Sequence, residues 1–317
     1  MGLPPSARRS WSLALSLSFA LAASACDDEA PPESTPVPEP AEALRPADVR
    51  GDVPETARIT DYRLTARLDA EAHQVEGTAR ITWRNRTQRT VNTLPFHLYM
   101  NAFRADDTAW MKEARGGHRG ERRKGGSWGY IDIKRVAKLA QSPTARIDQL
   151  AADARGTELR WSENAEPSTM TVSLPEPVAP GEAITVEVEF LTQLPHVFAR
   201  TGYHEDFHMV AQWFPKLGVL EDEAGWQNHT FSLNGEFYAD FGNYEVQLDV
   251  PEDMVVGATG IRVGEAEASG EGRKTINYLA HMVHDFAWAA DPKFIEQWGE
   301  HEGIRIRQLM QPEFVHD

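Results

Sequence analysis

The chain has 317 residues, 41% of them hydrophobic, with 48 acidic against 32 basic side chains and a formal net charge of −16. That much apolar material supports a sizeable core, and the length suits about two domains or one large all-β domain. A field of that sign repels phosphate backbones, which argues against a nucleic-acid partner; a single cysteine excludes a disulfide framework.

Residues 1–26 have the plan of an export signal. Arg8 and Arg9 form a positive start, 13–22 a short apolar core, and Ala23, Ser24, Ala25 and Cys26 a small-residue cleavage site. The apolar core is shorter than the roughly 20 residues a spanning helix needs. The cysteine at this point resembles the lipobox of bacterial lipoproteins, with Ala23 where leucine is usual. The resemblance implies acylation of Cys26 and an exported bacterial lipoprotein, anchored to a membrane by its lipid and facing the periplasm or the cell exterior. An ordinary secretory signal is the alternative. Residues 27–55, rich in Pro, Glu and Ala, are expected to form a disordered, extended tether.

From Ile59 the pattern changes to alternation. Residues 62–69 and 77–83 alternate around a polar turn at 70–74, which predicts a hairpin. Further strands are expected at 94–99, 158–161, 170–174 and 183–190, with Pro175, Pro177, Pro180 and Gly181 as punctuation. Tyr244, Val246, Leu248 and Val250 mark a strand with one buried face, 255–258 a short apolar one, and 275–279 and 283–290 two more. Residues 303–309 alternate again. Short strands between Pro and Gly turns, without long helical stretches, predict an all-β fold, an antiparallel sandwich.

Two local patterns bear on chemistry. Residues 120–127 mimic a phosphate-binding loop, but Gly126 stands where the lysine is required, so a solvated basic loop is expected. His204-Glu205-Asp206-Phe207-His208 matches H-E-x-x-H, whose two histidines bind zinc when they lie one turn apart on a helix. No third histidine follows at metzincin spacing, since the segment continues MVAQWF. His204, Glu205 and His208 are therefore only the alternative metal set, and satisfied histidines on a loop or strand edge are the expectation. His229, His281 and His284 are read as packing residues.

The ordered segments FHLYMNAF at 96–103, AQWFPK at 211–216, GEFYADFGNYEV at 235–246, VVGATG at 255–260 and HDFAWAADP at 284–292 are similar to the N-terminal β-domain of bacterial relatives of the membrane alanyl aminopeptidases. That zinc-dependent family includes aminopeptidase N and leukotriene hydrolase. The resemblance implies a saddle-like β-sandwich over 56–297, with 298–317 beginning the first strand of a catalytic domain that lies outside this sequence. It implies a non-catalytic role here: no catalytic residue, no metal held by this chain, and zinc in the full-length family member. The implied partners are the catalytic peptidase domain and a peptide substrate, with Gln212 as a candidate contact to the substrate's free amine. A stand-alone β-sandwich binding lipoprotein without a peptidase partner is the alternative.

Overall fold

The computed structural model describes residues 59–115, 117–118, 121–122, 125–140, 156–197 and 199–314. Cys26, the leader, the tether and part of the Gly-rich loop at 120–127 lie outside the described residues.

The chain opens with β1 (Thr60–Asp69), β2 (Gln74–Arg84) and β3 (Val91–His97), then a 3-10 turn (Tyr99–Phe103) and a short helix, α1 (Ala109–Ala114). Next come β4 (Gly117–His118), β5 (Glu121–Arg122), β6 (Tyr130–Leu139), β7 (Thr157–Glu158), β8 (Arg160–Glu163), β9 (Thr169–Val178) and β10 (Ala183–Gln193). Short strands follow: β11 (Gly202–His204), β12 (Phe207–Val210), β13 (Lys216–Leu217), β14 (Val219–Glu221) and β15 (Gly225–Gln227). The last are β16 (Gly242–Pro251), β17 (Val255–Ala258), β18 (Ile261–Gly270), β19 (Arg273–Val283), β20 (Trp288–Asp291), β21 (Ile295–His301) and β22 (Ile304–Met310).

An eight-stranded sheet runs β18-β19-β16-β1-β2-β10-β6-β7, and two four-stranded sheets run β11-β12-β20-β17 and β13-β3-β9-β8. They form the sandwich-like, all-β arrangement that the alternation predicts. The period of two explains the core. β1 turns Tyr62, Leu64, Ala66 and Leu68 inward, and β2 turns in Val75, Ala79, Ile81 and Trp83. Each fully buried large apolar side chain contributes about 1.5–3 kcal/mol. Gly77 is required on β2 because a Cβ there would lie 2.4 Å from Cζ of Phe190 on neighbouring β10.

The sheet is not wholly antiparallel. β1 pairs with β16 in parallel, Tyr62 opposite Tyr244 and Leu64 opposite Val246. Pro175 and Pro177 do not end a strand; they lie inside β9, in the irregular stretch between the Ser173 and Val178 pairings, where a missing N–H breaks no ladder. The strand expected at 94–99 stops at His97, where the chain enters the 3-10 turn. Residues 283–290 are likewise not one strand. β19 ends at Val283, and Asp285 turns away to accept from the Phe286 N–H and from Lys216 Nζ. At the far end β21 and β22 pair as one hairpin, Gln297 opposite Gln308.

Candidate functional site

Gln212 is the strained point of the molecule's central aromatic turn. Its backbone is left-handed, φ 54°, and only 7% of the residue is exposed. A non-glycine residue there costs about 1–2 kcal/mol and persists only where its neighbours over-determine it. They do. On one side the Ala211 N–H donates to Thr201 Oγ1 at 3.2 Å, and Thr201 Oγ1 donates to the Met209 carbonyl at 3.0 Å. On the other, Thr192 Oγ1 donates to the Trp213 carbonyl at 2.6 Å, and Trp213 Nε1 donates to the Phe286 carbonyl at 3.0 Å. Trp213 and Phe214 are buried against each other at 5.2 Å between ring centroids, so the turn cannot relax without opening the core. No hydrogen bond joins the Gln212 side-chain amide to another described residue, and Gln212 is among the residues lining a cavity of about 350 Å³.

The walls of that cavity are mixed: Phe103, Trp110, Phe231 and Leu233 form an apolar part, and His118, Asn234, Arg200 and Glu236 a polar one. Helix α1 sets Trp110, and Thr108 caps the helix by accepting from the Met111 N–H at 3.4 Å. Glu113, on the same helix, accepts from the Leu233 N–H at 2.7 Å and fixes the 232–235 loop. Ser168 Oγ accepts from the Phe231 N–H at 3.2 Å. Arg200 and Glu236 also line the cavity and pair through both guanidinium nitrogens, at 3.0 and 3.2 Å, while Arg200 lies 5.5 Å from the Phe237 ring centre. The site thus offers a chamber of mixed polarity with an aromatic and aliphatic part, an amide side chain and a carboxylate already paired to a cation. Such a chamber accepts a hydrophobic side chain while its few polar groups orient a charged or amide end.

The H-E-x-x-H residues are separated by the fold. His204 ends β11 and His208 lies in β12, with Glu205 and Asp206 forming the two-residue turn between them. His204 is exposed and His208 fully buried. The His208 ring spans two partners: Nδ1 lies 2.8 Å from the Asp206 carbonyl and Nε2 lies 3.0 Å from Nδ1 of His73. Burial pushes the pKa of both His208 and His73 below the ordinary value. Among the described residues, no three His, Cys, Asp or Glu side chains converge in a way that could hold a metal. The other histidines are placed separately: His229 faces the Glu236 carbonyl at 3.2 Å, His281 faces Asn243 at 3.3 Å, and His284 packs on Phe241.

The AQWFPK segment ends in a buried lysine. Lys216 Nζ donates to Tyr244 Oη at 2.8 Å, to Asp285 Oδ1 at 3.1 Å and to the His284 carbonyl, with the rings of Tyr62, Phe214 and Tyr244 around it. Burial lowers its pKa while Asp285 pulls the other way. This lysine ties the aromatic turn to the eight-stranded sheet and so holds Gln212 in place. Sequence reasoning singled out Gln212 but not Trp110, Arg200 or Glu236. They come from distant segments, and only the tertiary fold brings them together.

No family model matches the chain, and no curated protein matches it. Solved structures similar to it include the M1 zinc metallopeptidase from Deinococcus radiodurans, at 12% identity and TM-score 0.47, covering 81% of this chain and 48% of that one. A point mutant of that enzyme matches at 11% identity and TM-score 0.46, over 80% and 47% of the two chains. The same mutant bound to a Tyr-Ser-Ala substrate matches at 11% and 0.44, over 80% and 46%. The chain spans about half the length of these structures.

Proposed function

We propose that this β-body is the substrate-facing region of an exported, zinc-dependent, aminopeptidase-like metallopeptidase. It walls a peptide pocket, and a separate catalytic domain supplies the metal chemistry. In this reading Cys26 carries the lipid and residues 27–55 hold the body away from the membrane. The observation that carries the reading is Gln212: a buried residue in a left-handed conformation that lines a chamber. The ordered motifs around it, AQWFPK above all, support the same reading.

The chemistry assigned to this chain is binding. Gln212 Oε1 accepts from a peptide's ammonium group, the apolar part of the wall at Phe103, Trp110, Phe231 and Leu233 takes its first side chain, and the Glu236 carboxylate adds a compensating charge. No zinc-dependent step is assigned here, because the chain's H-E-x-x-H residues sit on a hairpin and point into different environments.

The test is hydrolysis of an aminoacyl anilide by the full product of the gene. A hydrogen bond to a charged group is worth about 1.5–3 kcal/mol, so Gln212→Ala should lower kcat/KM by about 10- to 100-fold. A chelator should abolish activity. Full activity in the variant, or in the presence of the chelator, contradicts the reading. Peptide binding by a gene product without hydrolysis would instead indicate a binding lipoprotein.

A further inference from the structure

We propose that His73 and His208 form a two-proton latch, which fastens the β11–β12 hairpin to the β1–β2 turn while at most one ring is charged and releases it when both are. His208 is fully buried on β12, and His73 is half-buried in the turn that joins β1 to β2. The nitrogens of the His208 ring have fixed roles. Nδ1 lies 2.8 Å from the Asp206 carbonyl, which can only accept, so Nδ1 carries a proton. Nε2 of neutral His208 is then a lone pair, and His73 Nδ1–H donates to it across 3.0 Å. A first added proton goes to Nε2 of His73 and leaves this hydrogen bond in place. A second must go to Nε2 of His208. That sets two N–H groups against each other with no acceptor between them, on two like charges whose ring centres lie 5.1 Å apart. The closed contact therefore holds one added proton and not two.

Both sides of the contact are anchored. Gln193 Nε2, at the end of β10, donates to the Ala72 and His73 carbonyls at 3.1 and 3.2 Å, and the Leu194 N–H donates to the His73 carbonyl at 2.9 Å. On the hairpin, Tyr203 lies opposite His208 and stacks on His73, with ring centres 3.5 Å apart and planes at 7°. Burial pushes both rings below the ordinary histidine value. Asp69 and Asp206 pull His73 back up and His196 pushes it down; the Asp206 carbonyl and the Asp206 and Asp291 carboxylates pull His208 up. Lys293 pairs with Asp206 at 2.8 Å and weakens that pull. The closed hairpin thus binds fewer protons than the open one. The latch is fully present above the ordinary value of 6.5 and is lost as pH falls below it. Release undoes the Thr201 hydrogen bonds to Met209 and Ala211 that brace Gln212, so acid weakens peptide binding. This last consequence rests on the proposed peptide pocket; the latch itself does not.

The test follows imidazole protonation and the backbone amide exchange of β12 by 15N nuclear magnetic resonance in the 317-residue chain, from pH 7.5 to pH 5. At pH 7.5 both rings should carry their proton on Nδ1. Corrected for the intrinsic pH dependence of exchange, opening of the β12 amides should rise about tenfold by pH 5 and follow the second protonation of the pair. His208→Gln cannot take a charge and should abolish the rise. His73→Asn, a residue that suits the left-handed backbone there (φ 53°), should start more open at pH 7.5 and gain less. His204→Ala, on the same hairpin, should behave as wild type. No rise in wild type, a full rise in His208→Gln, its loss in His204→Ala, or a His208 proton on Nε2 at pH 7.5 overturns the proposal. A free-amine peptide should bind more weakly at pH 5 than at pH 7.5 in wild type and equally in His208→Gln. If the amides open as expected and no peptide binds at either pH, the pocket fails and the latch stands.

Discussion

Replacing His97 with leucine should flatten the protein's loss of stability between pH 7 and pH 5. The His97 ring is 0% exposed, stacked on Tyr99 at 4.5 Å and edge-on to His229 at 5.5 Å. Among the described residues, neither ring nitrogen has a hydrogen-bond partner. Burial first, then the nearby His229 and Lys216, push its pKa down to about 3, while backbone groups at His229 and Tyr238 pull weakly upward. The native state therefore refuses a proton that the unfolded chain accepts. Stability from this neutral ring is fully present above the unfolded value near 6.5 and is lost as pH falls toward 3. At about 1.36 kcal/mol per pH unit, the span from 6.5 to about 3 amounts to about 5 kcal/mol, of which about 2 kcal/mol is gone by pH 5. Leucine fills most of the same space and takes up no proton. Urea melts followed by tryptophan fluorescence at pH 7 and pH 5 should show a difference about 2 kcal/mol smaller in His97→Leu than in wild type. His73 and His208 add loss of the same sign to both proteins, so they cancel in the comparison. Equal losses in the two proteins refute the reasoning.

Substitutions at three positions probe the packing. Gly77→Ala places a Cβ 2.4 Å from the Phe190 ring and should cost about 1–3 kcal/mol in a urea melt; a neutral result means β2 and β10 are spaced more loosely than described. Gln212→Gly should be more stable than Gln212→Ala by about 1 kcal/mol, since glycine adopts the left-handed backbone freely; equal stabilities mean residue 212 carries no strain. Lys216→Ala should cost about 3–5 kcal/mol by leaving Asp285 and Tyr244 without their cation, and Lys216→Met, which keeps the stem between the rings, should cost less. Equal costs for the two would show that the lysine acts through packing alone.

The long hairpins were legible in the sequence because one buried face imposes a period of two: β1, β2, β10 and β16 lie where alternation puts them. What was not legible depends on distant segments. The parallel pairing of β1 with β16 joins residues about 180 positions apart and leaves no local signature. Pro175 and Pro177 read as strand breakers because the irregular pairing that tolerates them belongs to β3 as much as to β9. The motif at 204–208 shows the same limit. Its two histidines look like partners in sequence, yet each pairs with another histidine, His204 with His196 and His208 with His73. Gln212 could be named from its surrounding motif, but its strain and its cavity exist only once Thr201, Trp213 and the 231–236 loop are assembled.

The most direct test of the substrate-pocket account is a nuclear magnetic resonance titration. The 15N-labelled chain is titrated with a tripeptide that has an apolar first residue and a free amino end, and in parallel with its N-acetyl form. The account predicts saturable shifts of the Gln212 side-chain amide and the Trp110 indole N–H with the free peptide, and none with the acetylated one. Equal responses to both peptides, or shifts confined to other surfaces, would contradict it.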